Sequence, residues 1–519
     1  SSMKWKVLGK PSDDVIAVLL KNRGIKDKKE FLDPNFPEFK LKTTKALTRI
    51  KRAIKNKEKI VVYGDYDADG ICATAIMWEY LKSLGADVLP FIPSREKEGY
   101  GLSIEGIDSI DASLIITVDN GLMAHEAVDY ANKKKIDVII LDHHERPKKL
   151  PKAYAIVHTT ELCAAGIAYF FANDKRWLEL ATIATITDLL PLTGINRSIV
   201  KYGLEALADT KRVGLRALFE VAGIKKVGTY EIGYMIGPRL NASGRIESAL
   251  TALRLLCTNN KDKAKEWAQI LNATNKERQT MTEEMTIHAK SIAKADGKII
   301  VLEHESYHQG IIGLVAGKLV EEYYLPAIVI AKGTEVSKAS ARSIAGFNII
   351  EAIRTCESLL LNAGGHPMAA GFSIETTKIA EFKTQIAKYA NKKITQDLLE
   401  KTLRVDCGLD LNIVVMNLYE DIMQLAPFGM GNPEPVFASL GTIQNVRTVG
   451  ADGKHIKFVI ASESKQSSFD AIFFNGGKWL PKLKVGDSVK IAYSIALDTF
   501  NFNHKLQLRV KDISLGSGY

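Results

Sequence analysis

Between Lys59 and Asp142, short apolar runs alternate with longer segments that have helical periodicity. The runs IVVYG, LIITV and DVIIL are typical of buried strands. Amphipathic segments predict helices near Cys72–Leu84 and Met123–Lys134. This alternation indicates βαβ units and therefore a parallel sheet.

The pattern changes twice in the rest of the chain. A helical stretch from about Ser248 to Lys294, rich in Ala, Lys and Glu, predicts a connector between lobes. A second βα region follows, with KIIVLE and AIVIA as strands, GIIGLVAGKLVEEY as a helix and NAGGHPMAAGF as a glycine-rich turn. From about Lys401 the segments HIKFVIA, DSVKIAYSIAL and HKLQLRV alternate as half-buried strands do, which predicts a small β-barrel.

Composition limits the class of protein. With 46% hydrophobic and 25% charged residues the chain has a globular composition, and no apolar run is long enough to cross a bilayer. We see no secretory signal, and we leave Ser1 and Ser2, ahead of Met3, out of the fold reasoning. Five scattered cysteines predict neither a disulfide framework nor a CxxC zinc site, which favours a reducing compartment. A net charge of +10 favours a polyanionic partner.

The stretch GDYDADG places Asp65, Asp67 and Asp69 on alternate positions. Their mutual repulsion costs free energy unless a cation lies among them. The same spacing opens a calcium-binding EF-hand loop, but that loop needs a preceding helix and a Glu at position 12, where this chain has Ile76. The EF-hand is therefore excluded, and a solvated acidic turn stays as the alternative to a metal site.

Further polar residues follow the other predicted strands. Asp119 comes after LIITV, and Asp142, His143 and His144 come after DVIIL. Taken singly, such an aspartate is typical of a helix cap, and such a histidine is typical of a core residue. The carboxyl ends of parallel strands meet at one edge of a sheet, so their joint placement favours a shared ligand site.

Asp188, after the apolar run LATIATIT, completes a set of five carboxylates and one imidazole without a thiolate. This set suits Mn²⁺ or Mg²⁺ better than zinc, and it is too large for one ion. We therefore predict two divalent cations with Asp119 as the bridging ligand. Paired ions about 3.5–4 Å apart favour in-line displacement at a phosphate ester.

Four motifs, GDYDADG, VDNG, LDHH and TDLLPL, resemble in order and separation those of the DHH phosphoesterase superfamily. Five later strings, GPRLNASGR, HQGIIGLVAGKL, KASARS, GGHPMAAGF and PFGMGNPEPVF, are similar to the RecJ branch, the single-strand-specific 5′→3′ exonucleases. The resemblance covers about Ile60 to Phe437. It implies an α/β fold with two parallel-sheet-containing lobes, DHH and DHH-associated, joined by a long helix, plus a C-terminal all-β OB-fold barrel. The implied domains are an N-terminal extension (1–44), a DHH catalytic lobe (45–245), the connecting helix (246–294), a DHH-associated substrate lobe (295–398) and an OB-fold domain (399–519).

The resemblance also implies roles for individual residues. Many superfamily members have a histidine in place of Tyr63, so here Asp65 is expected to supply that ligand, and His144 to contact the scissile phosphate or support a ligand. The implied metal ligands are Asp65, Asp67, Asp69, Asp119, His143 and Asp188. The implied catalytic residues are Asp119, Asp142, His143 and His144. The implied substrate-binding residues are Arg239, Arg245, Ser340, Arg342, Gly364, Gly365 and His366, the arginines holding the 5′ end.

Three departures from the family pattern stand out. Asn120 replaces a usual cysteine beside a ligand, and the segment between Val157 and Phe171 is shorter and more divergent. HQGIIGLVAGKL ends in Gly-Lys where an arginine is common. These changes bear on substrate length and end preference rather than on the metal ligands.

Lysines alternate with aromatic residues in the last domain, as in grooves that hold single strands. Most of these aromatics are expected to fill the barrel. Lys454 and Lys457, with Phe500 and Phe502 on one face of a strand, are our candidates for nucleic-acid contact.

Together these features predict a two-metal exonuclease that degrades single-stranded DNA from the 5′ end, releasing nucleoside 5′-monophosphates in repair and recombination. We expect a cytoplasmic monomer without membrane contact, and a single-strand-binding protein or a helicase as its partner. Two alternatives stay open: hydrolysis of short oligonucleotides or cyclic dinucleotides, and a non-catalytic scaffold that binds single strands.

Overall fold

The computed structural model describes residues 3–515 except 95–96, 247, 451–452, 465 and 499–504. The chain divides into two compact units. The smaller unit contains residues 1–39, 189–206 and 402–519, and the larger contains residues 40–188 and 207–401. Within the described ranges, no helix combines the length and the apolar character needed to cross a membrane.

The first sheet of the larger unit has five parallel strands in the order β3-β2-β4-β5-β6. Its central strands are apolar throughout because helices cover both faces of such a sheet. The predicted βαβ lobe is confirmed. The elements are α3 (Thr44–Lys55), β2 (Lys59–Tyr63), α4 (Ala68–Ser83), β3 (Asp87–Phe91), α5 (Ile104–Asp108), β4 (Leu114–Val118), α6 (His125–Lys133), β5 (Asp137–Asp142), β6 (Ala155–His158), α7 (Ala164–Ala172) and α8 (Leu178–Thr187).

Helices then lead to a second, mixed sheet in the order β10-β11-β9-β8-β7, in which β7 and β8 are parallel. The helices of this part are α10 (Val213–Ala222), α11 (Thr229–Glu231), a π-helix (Ile232–Ile236), α12 (Gly237–Ile246), α13 (Leu250–Cys257), α14 (Lys261–Ile292), α15 (Ile312–Tyr323), α16 (Ile349–Arg354) and α17 (Ile379–Lys393). The strands are β7 (Ile300–His304), β8 (Ala327–Ala331), β9 (Val336–Arg342), β10 (Leu360–His366) and β11 (Ala369–Glu375).

Two details of this region differ from the sequence prediction. The connector is two helices, since α13 ends at Cys257 and Asn260 caps the start of α14 by accepting from the amides of Asp262 and Lys263. The predicted glycine-rich turn is a hairpin, with Gly364 and Gly365 in β10, Gly371 in β11 and only Pro367 and Met368 at the turn.

The smaller unit contains a barrel of five strands, β14, β15, β16, β18 and β17, closed by pairing of β17 with β14. The predicted OB-fold barrel is confirmed. The elements of this unit are β1 (Lys4–Val7), α1 (Val15–Asn22), α2 (Lys28–Leu32), α9 (Gly194–Ala208), β12 (Thr402–Val405), β13 (Cys407–Gly408), α18 (Met416–Met423), β14 (Phe437–Val449), β15 (His455–Ala461), β16 (Ser468–Phe473), β17 (Ser488–Asp498) and β18 (Lys505–Ser514).

The N-terminal segment belongs to this smaller unit. β1 pairs in parallel with β12, and the indole of Trp5 donates to Asp512 at 2.8 Å. The domain boundaries given above stay a prediction.

Candidate metal centre

The loop after β2 holds its three carboxylates through backbone amides. Asp67 caps α4 by accepting from the amide of Gly70 at 2.8 Å. Asp69, in the first turn of α4, is buried and accepts from the amides of Ala164 and Ala165 at 2.8 and 2.7 Å. These two amides begin α7, so a positively polarised helix end fixes Asp69. The segment that diverges from the family pattern therefore supports a metal-binding position.

Gly70 is required by close packing within the same loop. A Cβ atom there would lie 2.6 Å from the Cβ of Asp65 and 2.7 Å from its carbonyl oxygen. Any larger residue would displace Asp65, so the glycine that ends the GDYDADG motif has a steric cause.

The ends of β4 and β5 bring the next residues to this loop. Asp119 lies in the left-handed region, at φ 64°, and its amide donates to Leu141. The Nε2 atom of His143 is 3.1 Å from Asp119, 3.5 Å from Asp69 and 3.7 Å from Asp188. Asp188 follows α8 and so comes from the end of a helix rather than a strand.

The potential ligand atoms form three groups, and within each group these atoms all lie within 4.8 Å of one another. The groups are Asp65, Asp67 and Asp119; Asp69, His143 and Asp188; and Asp119, His143 and His144. All six predicted metal ligands occur in these groups. Asp119 and His143 each occur in two of the groups, and the bridging role of Asp119 stays a prediction. The donor set is oxygen-rich and lacks a thiolate, which fits Mn²⁺ or Mg²⁺.

Burial and mutual repulsion raise the pKa of three of these carboxyls, those of Asp69, Asp119 and Asp188. Burial first, and then the charge of Asp67, raises the pKa of Asp69 to about 7. The same two causes, burial and neighbouring carboxylates, raise the pKa of Asp188 to about 8 and that of Asp119 well above its usual value. Burial lowers the pKa of His143 to about 4, so its imidazole is neutral and ready to be a ligand. A cluster of this kind needs a cation to become ionised at neutral pH.

His144 has a different role, because it pairs with Asp142. Its Nδ1 atom lies 2.6 Å from Asp142. Burial alone lowers the pKa of His144, but the hydrogen bond and charge of Asp142 outweigh it and raise the pKa to about 9. The pKa of Asp142 is lowered overall. Burial alone would raise it, but the hydrogen bond from His144 outweighs burial. His144 is thus an imidazolium at neutral pH, placed beside the carboxylate cluster.

Tyr100 was not predicted from the sequence. Its hydroxyl donates to the backbone carbonyl of Asp119 at 3.2 Å and lies 3.4 Å from Nε2 of His144, while its ring is more than half exposed. In the sequence, Tyr100 is marked by the glycines on both sides of it. In the structure, Gly99 and Gly101 both have positive φ.

Asn120 and Tyr63 explain two departures from the family pattern. The amide of Asn120 donates to the carbonyls of Tyr63, Gly64 and Val118, and its oxygen accepts from the amide of Leu102. It therefore ties the ends of β2 and β4 together. Tyr63 is fully buried with its hydroxyl on Gly101, away from the ligand groups.

Helix α12, predicted only as part of the 5′-end pocket, also shapes the metal loop. Asn241 accepts from the amide of Ala68 at 2.8 Å, which caps α4 a second time. A Cβ atom at Gly244 would lie 2.3 Å from the carbonyl oxygen of Tyr66, so the helix touches the loop backbone. No periodicity in the sequence signals these contacts, because they join segments far apart in the chain.

The substrate-binding candidates of the second sheet lie in two rows across three strands. Ser340 pairs with Gly371, which pairs with Gly364, and Arg342 pairs with Ala369, which pairs with His366. Directly paired residues share a face, so Ser340, Arg342 and His366 lie on one side of the sheet. Gly365, at φ 141°, lies between the rows.

Arg342 and Arg245 both reach the start of α15, at Gly310 and Gly313. Arg342 donates to Ser340 at 3.1 Å, and a Cβ atom at Gly313 would touch both side chains at 2.8 Å. Arg245 donates to the carbonyl of Gly310 at 3.0 Å. The third arginine predicted for the 5′-end pocket, Arg239, donates instead to Asn272 on α14 and to the carbonyl of Met235.

Comparison with known proteins agrees with this geometry. Sequence models match for the DHH family, N-terminal domain (59–195), the DHHA1 domain (296–392) and the RecJ OB domain (405–512). The single-stranded-DNA-specific exonuclease RecJ of Thermus thermophilus is 34% identical over 88% of this chain and 72% of its own length.

The chain belongs to the RecJ family. The RecJ of Bacillus subtilis is 38% identical over 94% of this chain, which spans 64% of that relative's length. The crystal structure of RecJ in complex with Mn²⁺ from Thermus thermophilus superposes with a TM-score of 0.88, at 29% identity, covering 99% of this chain and 80% of that one.

In the RecJ OB domain, the two lysines predicted to contact nucleic acid differ in exposure. Lys457 is half-buried and pairs with Asp470 at 3.0 Å, and Lys454 is exposed. Phe500 and Phe502 lie outside the described residues. Phe474, expected to fill the barrel, is 54% exposed and packs edge-on against His455.

Proposed function

We propose that this chain is a two-metal exonuclease that degrades single-stranded DNA from the 5′ end and releases nucleoside 5′-monophosphates. The observation that carries the proposal is the clustering of six carboxylate and imidazole ligands around His143 and Asp119. The names of the RecJ relatives and the OB-fold barrel support single-stranded DNA as the substrate.

Two divalent cations, Mn²⁺ or Mg²⁺, fit the ligand groups described above. Asp65, Asp67 and Asp119 would hold one, and Asp69, His143 and Asp188 the other, with Asp119 shared. The cations would supply Lewis-acid activation of water and of the phosphate ester. The RecJ structure of Thermus thermophilus was determined with Mn²⁺.

The protein's own contribution at the reacting phosphate comes from His144. Its imidazolium, held by Asp142, places positive charge where the phosphate develops negative charge. The same group can give a proton to the leaving 3′ oxygen, since its pKa of about 9 keeps it protonated at neutral pH.

The preference for the 5′ end follows from a second binding site, which is lined by arginines. Arg342 is largely buried, and burial lowers its pKa, yet no carboxylate of the described residues pairs with it. A buried guanidinium without a counter-ion is a site for an anion. We assign it the 5′ phosphate, together with Ser340 and Arg245.

The cellular setting remains part of the proposal. All five cysteines are free, which supports a reducing compartment, and we place the protein in the cytoplasm as a monomer. A single-strand-binding protein or a helicase would supply its strand in repair and recombination.

The test is substitution of Asp119 by Asn, which tolerates the left-handed backbone at this position. Mn²⁺-dependent cleavage of a single strand should be abolished while strand binding stays nearly unchanged. The matched control is Asp129→Asn, an exposed change of equal charge on α6. Full activity of the Asp119 variant would refute the metal centre, and faster hydrolysis of a dinucleotide than of a long strand by the parent would favour the short-substrate alternative.

A further inference from the structure

The partly buried arginines of the larger unit differ in what neutralises them. Arg49 is paired with Glu58 and Asp137, both at 2.6 Å, and Arg212 with Glu79 at 2.7 Å. Such pairs satisfy the guanidinium internally and have a structural role.

Arg278, on α14, has no such partner. Its Nε atom donates to the side-chain oxygen of Asn275 at 3.1 Å, and Asn275 itself is only 3% exposed. Among the described residues no carboxylate lies within ion-pair distance of Arg278, and its two terminal nitrogens make no hydrogen bond. Burial lowers its pKa, which no neighbouring charge offsets. An amide oxygen thus orients this cation without neutralising it.

Arg239 is held in the same way by Asn272. Asn272 and Asn275 are three residues apart on α14, so they lie on one face at adjacent turns, about 4.5 Å apart along the axis. Two guanidinium groups without a carboxylate partner among the described residues, that of Arg278 on α14 and that of Arg239 on α12, are therefore oriented by asparagines of this helix.

This face is connected to the metal centre through α12. Arg239 belongs to α12, and the same helix caps α4 through Asn241 and touches the metal loop at Gly244. Arg278 is therefore a candidate for a strand contact beyond Arg239, because both guanidinium groups bond to asparagines on the same face of α14.

Arg197, in the smaller unit, shows what a purely structural arginine without a carboxylate looks like. It is 1% exposed, and all three of its nitrogens donate to backbone carbonyls, those of Phe31, Gln424, Leu425 and Ala426. Arg278 is more exposed and uses one nitrogen only. The difference in bonding leaves Arg278 able to receive an anion.

We propose that Arg278 binds an internal backbone phosphate of the single strand, beyond the nucleotide that occupies the metal centre. The inference rests on the proposed function and extends it to the connecting helix. Because the contact is to a phosphate, it should be independent of sequence and should weaken with salt.

The experiment compares Arg278→Gln and Arg278→Lys with Lys276→Gln in the full chain. Lys276 is exposed and two residues away, so it lies on another side of α14 and serves as the matched control. Binding of a long single-stranded oligonucleotide is titrated without divalent cations over a series of salt concentrations. Binding of a 5′-phosphorylated dinucleotide and the melting temperature are measured in parallel.

We expect Arg278→Gln to bind the long strand roughly tenfold more weakly, as for loss of a charge-assisted hydrogen bond. The slope of log affinity against log salt should fall by about 0.7, the value for one phosphate contact on a single strand. Arg278→Lys should recover most of the slope, and Lys276→Gln and dinucleotide binding should be unchanged.

Equal binding and equal salt slope for Arg278→Gln and the parent would overturn the inference alone. An equal loss in Lys276→Gln, or a loss that extends to the dinucleotide together with a lower melting temperature, would also overturn it, because charge in general or folding would then be the cause. A parent chain that binds no strand would overturn the proposed function itself.

Discussion

Replacing Asp188 by Asn tests whether the carboxylate cluster is strained in the absence of a cation. The amide has the same shape, and the Asp188 side chain makes no hydrogen bond to the described residues; the Nε2 atom of the neutral His143 lies 3.7 Å away. The substitution therefore removes one titratable carboxyl and little else.

The expected size follows from the pKa of Asp188, which is about 8 in the folded chain against 3.8 for an ordinary aspartate. Between these values the folded state binds more protons than the unfolded state, so the free energy of unfolding falls as pH rises. The slope is about 1.4 kcal/mol per pH unit, which gives a loss of about 2 kcal/mol between about pH 6.0 and 7.5. The Asn variant lacks this contribution.

The assay is urea unfolding at both pH values with a chelator present, for the parent, Asp188→Asn and the exposed control Asp129→Asn. We expect the loss of stability from the lower to the higher pH to be about 2 kcal/mol smaller in Asp188→Asn than in the parent, and unchanged in the control. If parent and Asp188→Asn lost stability equally, the repulsion assigned to this cluster would be refuted.

Three further outcomes follow from the same structure. Mn²⁺ should raise the melting temperature more at pH 7.5 than at pH 6.0, since the carboxyls must lose protons to bind it; an equal rise, measured by calorimetry, would contradict the pKa of about 7 for Asp69. Asn241→Ala should lower the free energy of unfolding by about 1 kcal/mol and reduce turnover, because Ala68 loses its acceptor; urea unfolding and an exonuclease assay check this, with Asn241→Asp as the conservative control. Arg342→Gln should raise KM for 5′-phosphorylated strands roughly tenfold and leave 5′-hydroxyl strands nearly unchanged; equal effects on both ends would remove the 5′-phosphate assignment.

The ligands at the strand ends were predictable because the βαβ rhythm brings such residues to one edge. Asp65, Asp119 and His143 meet there for that reason. Asp188 was grouped with these ligands from the apolar run before it, but the strand-end rule does not cover it, because it follows the helix α8.

The supporting contacts were not predictable, because they join segments distant in sequence. The α7 amides that hold Asp69, and Asn241, which caps α4, belong to segments that are unremarkable by themselves. In the barrel, the alternation of apolar and polar residues predicted three of the strands. The exposure of Phe474 was not predictable, because it depends on how neighbouring residues such as His455 pack against it.

The direction of degradation is the most direct test of the central claim. A single strand labelled at its 5′ end and the same strand labelled at its 3′ end are digested in parallel with Mn²⁺. The structure predicts release of the 5′ label as a mononucleotide from the start, while the 3′ label stays on a shortening strand. Early release of the 3′ label, or no cleavage by protein shown to have bound Mn²⁺, would contradict the account.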